Sequence, residues 1–160
     1  MRLAKAMTKS NFQVVALPTA VADAARKTAT ENRPDHRVMV VESPNSAPCR
    51  HCLQWAKPGD RVILFSYDAI PAGRPYSERG PIFVHAEPCP RYEDEVYPAE
   101  FRHGRAFRAY NATNDLIDAR LPNGETPEAV VAKLFENPDT AFVHARSATH
   151  GCYTFKIERQ

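Results

Sequence analysis

Residues 116–138 read Leu116-Ile117-Asp118-Ala119-Arg120-Leu121-Pro122-Asn123-Gly124-Glu125-Thr126-Pro127-Glu128-Ala129-Val130-Val131-Ala132-Lys133-Leu134-Phe135-Glu136-Asn137-Pro138. Two apolar periods stand side by side here. Ile117, Ala119 and Leu121 alternate with Asp118 and Arg120, which predicts a strand over 116–121 with one wet face. Val130, Val131, Leu134 and Phe135 then share one face of a helix predicted over 127–136. Thr126 suits the N-cap, Pro127 the first helical position and Glu128 the positive end of the helix, and Asn137-Pro138 stops it.

Working outward, strands are expected at 141–146 and 152–158, the latter with Tyr153, Phe155 and Ile157 on one face. Upstream, strands are expected at 12–17, 37–42, 61–67, 82–86 and 106–110. An alanine-rich helix is expected at 19–30, with Arg26 and Lys27 near its end. Lys57-Pro58-Gly59-Asp60 is a turn sequence, 68–81 is a stiff loop rich in proline and glycine, and 87–104 is polar and irregular. Seven or eight strands with two separated helices predict an α+β fold. The expected architecture is a single domain over 11–160, with a mostly antiparallel sheet of about seven strands and two helices. It follows a flexible N-terminal segment, residues 1–10.

Composition narrows the function classes. A chain of 160 residues with 43% apolar and 25% charged side chains is globular. Fourteen prolines against six glycines exclude a helical bundle. The longest apolar runs have four residues, far short of the about 20 that a membrane span needs, so a cytoplasmic protein without a membrane partner is expected. A net charge of +2 argues against nucleic acid. The basic-aromatic stretch around Arg102, His103, Arg105 and Arg108 faces the acidic Glu93-Asp94-Glu95 and reads as a solvated face. No glycine pattern for phosphate occurs, so no nucleotide cofactor is expected. The partner is unknown, and a homo-oligomer stays open.

Four cysteines in a reducing compartment point to free thiols, metal ligands or redox groups. Cys49-Arg50-His51-Cys52 sets two thiols at the spacing of one metal ion, and His85 and Cys89 supply the remaining two ligands of a Cys3His zinc site. A redox pair would use the same motif, its thiol pKa lowered by Arg50 and His51, but Leu53 to Ala56 leaves no room for the long helix such a site wants. Haem attachment needs a histidine where Leu53 stands. A second constellation suggests a thiol enzyme, with Cys152 as nucleophile, His150 or His144 as base, and Arg146 holding an anionic substrate. Tyr76, on the stiff loop, and Arg108 complete the candidate ligand-binding residues. The third reading is an interaction domain with neither metal nor catalysis.

Several of these pieces together resemble a known family. They are Pro48-Cys49-Arg50-His51-Cys52-Leu53, Pro58-Gly59-Asp60, Pro75-Tyr76, Gly80-Pro81-Ile82-Phe83-Val84-His85, Arg108-Ala109-Tyr110, Val143-His144-Ala145-Arg146 and His150-Gly151-Cys152-Tyr153. In this order they resemble the bacterial domain of unknown function family 1203, over roughly residues 12–159. The resemblance implies a single-domain bacterial protein and carries no activity or site residue with it. It places the cysteine motif, the stiff loop and the His-Gly-Cys ending in one domain pattern, so the three are expected to converge on one side of the sheet. Cys49, Cys52, His85, Cys89, His150 and Cys152 would then be the pool of metal donors, and two sulfurs on one zinc would lie about 3.7–4 Å apart.

Overall fold

The computed structural model describes residues 11–160. The expected flexible segment, residues 1–10, lies outside the described residues. In chain order the elements are β1 (Phe12–Val15), α1 (Thr19–Thr28), β2 (His36–Val40), β3 (Arg61–Ile70), β4 (Glu78–His85), β5 (Arg105–Tyr110), β6 (Leu116–Arg120), α2 (Pro127–Phe135), β7 (Phe142–Ser147) and β8 (Tyr153–Arg159). A short 3₁₀ turn, Ala99–Phe101, precedes β5.

The fold is α+β and its strand pairs are antiparallel. The strands divide between a five-stranded sheet, ordered β1-β8-β7-β5-β6, and a three-stranded sheet, ordered β2-β3-β4. The division has a local cause. Pro81 stands within β4 without an amide to donate, and the free edge of β4 is met by the cysteine turn, where Cys49 bridges Phe83. The stiff loop is shorter than 68–81, because β3 runs on to Ile70 and β4 starts at Glu78, with a register shift between Asp68 and Ile70.

The helix read from its caps forms as expected. The Thr126 hydroxyl accepts from Ala129 N–H at 3.2 Å and Pro127 occupies the first turn. Its Val130, Val131 and Leu134 pack with Phe107 and Ala109 of β5, Val143 and Ala145 of β7, and Phe155 and Ile157 of β8. Burying each such large side chain contributes about 1.5–3 kcal/mol. Helix α1 covers the smaller sheet. Ala22 and Ala25 allow a close approach to Ile63, Phe65, Ile82 and Val84, and Cys49, Cys52 and Tyr153 join this second core.

Tyr153 reaches that core because of a bulge. Ala145 pairs with Phe155 but Arg146 pairs with Tyr153, so Thr154 is an extra residue and the strand face changes there. The bulge places the start of β8 beside the smaller sheet. That is where the candidate sites lie.

Candidate metal centre

The cysteine motif is a tight turn closed by backbone hydrogen bonds. Pro48 bridges Trp55, Cys49 N–H donates to Gln54 O at 2.9 Å, and Leu53 N–H donates to Cys49 O at 3.0 Å. Closing it puts Leu53 in the left-handed region at φ 54°, a conformation that costs a non-glycine residue about 1–3 kcal/mol. Leu53 is 1% exposed and packs into the larger core, and that burial offsets the strain. Three backbone bonds fix the turn to its surroundings: Arg50 N–H donates to Phe83 O at 3.0 Å, Leu17 N–H donates to Arg50 O at 3.0 Å, and Tyr92 N–H donates to His51 O at 2.9 Å. The exit of β4 and the segment carrying Cys89 are therefore held against the motif.

The result is a group of four donors. Cys49 Sγ lies 3.8 Å from Cys89 Sγ, and Cys52 Sγ lies 3.5 Å from His85 Nδ1. The donor atoms of Cys49, Cys52, His85 and Cys89 all fall within 4.8 Å of one another and can hold a metal ion. A tetrahedral ion with Zn–S bonds of about 2.3 Å sets its sulfurs about 3.8 Å apart. The observed sulfur pair matches.

Neighbouring groups orient these donors. His85 Nε2 faces Asp60 Oδ2 at 3.4 Å, leaving Nδ1 turned to the sulfurs, as in a carboxylate–histidine–metal arrangement. Arg26 Nη2 donates to Cys89 Sγ at 3.3 Å and its Nε donates to His85 O at 3.1 Å. His51 Nδ1 lies 3.2 Å from Cys89 Sγ, while its Nε2 lies 2.9 Å from Thr19 Oγ1. Burial pushes the His51 imidazole down and so favours its neutral form. With the Thr19 hydroxyl donating to Nε2, Nδ1–H is free to donate to the sulfur. His85 N–H donates to Cys49 Sγ at 3.4 Å.

The electrostatics favour a thiolate at Cys49. Hydrogen bonding from Cys52 first, then from Cys89, holds the Cys49 thiol far below its usual range despite burial. Cys52 moves the opposite way, because its proton is shared with Cys49 and then Cys89. The Cys49 and Cys89 sulfurs push the His85 imidazole up to about 10 against its desolvation. Three thiolates around a divalent cation would leave one net negative charge, on the side where Arg26 Nη2 donates to Cys89 Sγ.

The sequence pool of six donors thus divides, with Cys49, Cys52, His85 and Cys89 in the group and His150 and Cys152 not part of it. Asp60, Arg26 and Thr19 were not singled out as site residues. Asp60 carries the one available signal, since it closes a turn by accepting Lys57 N–H at 2.8 Å, yet its carboxylate also serves His85. Asp60→Asn keeps the turn but cannot serve both donors, and is expected to weaken metal binding by about 10- to 100-fold. Competition with a chromogenic chelator measures this, and unchanged affinity would remove Asp60 from the site.

The thiol-enzyme residues are placed differently. Cys152 Sγ contacts the His150 carbonyl at 3.8 Å, while the His150 imidazole turns to Ser147 and Thr149. His144 is 1% exposed, its Nδ1 lies 3.2 Å from Arg146 Nη2, and burial first, then Arg146, hold it well below its usual pKa. Among the described residues, neither histidine ring is hydrogen-bonded to Cys152. Arg146 and Arg108 meet on the carboxylate of Glu78, at 2.8 Å and 3.9 Å. Tyr76 is exposed on its loop. The solvated-face reading also needs one correction: Arg105 is only 8% exposed, because the first residue of β5 points between the sheets and not outward.

No helix among the described residues is long and apolar enough to cross a membrane. Comparisons with curated proteins and with solved structures return no match. A family model described as "Protein of unknown function (DUF1203)" matches residues 46–159. That match takes in the cysteine turn, β4 with its His85 and Cys89 exit, and the strands of the larger sheet from β5 onward, and by it the chain belongs to the DUF1203 family.

Proposed function

We propose that Cys49, Cys52, His85 and Cys89 bind one zinc ion in a structural or regulatory Cys3His centre. One observation carries the reading: donors from two segments far apart in sequence lie within 4.8 Å of one another, with a sulfur pair at 3.8 Å. The hydrogen bonds from Arg26, His51 and the His85 amide to sulfur support it, since a thiolate cluster is stabilised by such donors. Four protein ligands fill a tetrahedral ion, which leaves no position for a reactive water and favours a structural role over hydrolysis.

Protein purified without chelator is expected to carry about one zinc per chain by elemental analysis, and the Cys49→Ser/Cys89→Ser double variant close to none. Wild-type protein without stoichiometric metal, or a double variant that retains it, overturns the proposal.

A further inference from the structure

A second site lies on the other side of the cysteine turn, between the two sheets. The cleft has a volume of about 700 Å³ and is lined by the turn, by β3 and β4, by the start of β5 and by the β7–β8 turn. That volume is typical of small-molecule sites, about 300–1,000 Å³. Its apolar wall is Trp55, Leu64, Pro81 and Phe83, and its buried charged residues are Arg50 and Arg105.

The two arginines are only 4% and 8% exposed. Arg50 Nε donates to Tyr153 O at 2.8 Å and its Nη1 to Pro48 O at 2.7 Å. Arg105 Nη1 donates to Thr154 Oγ1 at 2.8 Å, on the bulge of β8. These acceptors are neutral. Among the described residues neither guanidinium has a carboxylate within ion-pair distance, and no aspartate or glutamate lines the cleft. Arg105 Nε is buried with no hydrogen-bond partner among the described residues. Arg146, whose Nε is likewise buried without a partner, differs in its charge pairing, being equally buried but paired with Glu78 at 2.8 Å. Desolvating a cation without a close carboxylate partner costs several kcal/mol, and two such cations on one apolar cleft, with the Cys152 and Cys49 sulfurs acting on Arg50, form a receptor for negative charge.

We propose that this cleft binds a small organic anion, with a carboxylate or phosphate head held by Arg50 and Arg105 and an apolar body lying along Trp55 and Phe83. The head supplies the missing counter-charge to a guanidinium whose Nη1 is held by Thr154 and whose Nε has no partner among the described residues. The site is independent of the metal reading, because its donors are nitrogen and its ligand is anionic.

Trp55 is the single tryptophan of the chain, so intrinsic fluorescence reports occupancy directly. Titrating the purified protein with 3-phenylpropionate and with phenyl phosphate is expected to give saturable changes, the tighter of the two identifying the preferred head. The neutral 3-phenylpropanamide is expected to bind about 10- to 100-fold more weakly. Arg105→Met keeps the volume and removes the charge. It is expected to weaken the anions by a similar factor while unfolding at the same or a higher urea concentration than wild type, as loss of an uncompensated charge requires. Absence of a saturable signal for both anions up to about 10 mM overturns the proposal, as does equal binding of the amide. Those two comparisons use wild-type protein and decide the matter even if the variant fails to fold.

Discussion

Stripping zinc from the proposed Cys3His centre is expected to lower the unfolding free energy by about 4 kcal/mol, the linkage gain for free ion at about 1,000 times its Kd. Cys49 and Cys89 are 40 residues apart in sequence, so the donor group of the folded chain does not persist in the open one. The sign follows from linkage: an ion bound by the native arrangement and not by the open chain raises stability in proportion to its occupancy. For a domain of this size each kcal/mol moves the midpoint by roughly 2–4 °C, so a fall of about 8–16 °C is expected. Scanning calorimetry with and without a strong chelator measures it. Identical transitions in the two samples rule out a stabilising ion, and the Cys49→Ser/Cys89→Ser variant should be indifferent to the chelator.

The second large effect concerns a bond between the sheets. Glu78 on β4 meets the Arg146 guanidinium on β7 at 2.8 Å, and the Arg146 side chain is 4% exposed. Removing one member of a buried pair leaves the other charge desolvated, at a cost of about 3–5 kcal/mol. The Glu78 side chain is 28% exposed, and water admitted there reduces the effect to about 2–3 kcal/mol. Glu78→Gln is therefore expected to unfold at distinctly lower urea. Adding Arg146→Met should recover most of the loss, because the stranded charge goes with it. Two single variants whose effects simply add in the double would show that the pair is not coupled.

The parts of the fold legible in the sequence were those written in local signals. Thr126, Pro127 and the spacing of Val130, Val131 and Leu134 define α2 within one short window. The division into two sheets was not legible, because it depends on the edge of β4 meeting a turn some thirty residues earlier in the chain. The grouping of Cys49, Cys52, His85 and Cys89 was readable from residue type and spacing, since a C-x-x-C with a further histidine and cysteine is the composition of a Cys3His site. Their supporting groups were hidden in other roles. Asp60 reads as a turn residue and Arg26 as the basic end of a helix, and both are correct readings that omit a second contact. Arg105 was misread because basic residues clustered beside aromatics usually lie on a solvated face. The bulge at Thr154 gives it an inward acceptor, and nothing in the linear spacing announces a bulge.

The left-handed leucine of the cysteine turn carries a kinetic implication. Leu53 is anchored among the side chains beneath α2, while the sulfur of Cys52, one residue earlier, belongs to the donor group on the smaller sheet. Such a turn cannot peel away as a fraying surface loop does, since opening it means extracting a plug from the main hydrophobic layer. Release of an ion held at these sulfurs would be tied to the rare excursions that loosen the whole layer, and such an ion would be retained tightly and exchange slowly.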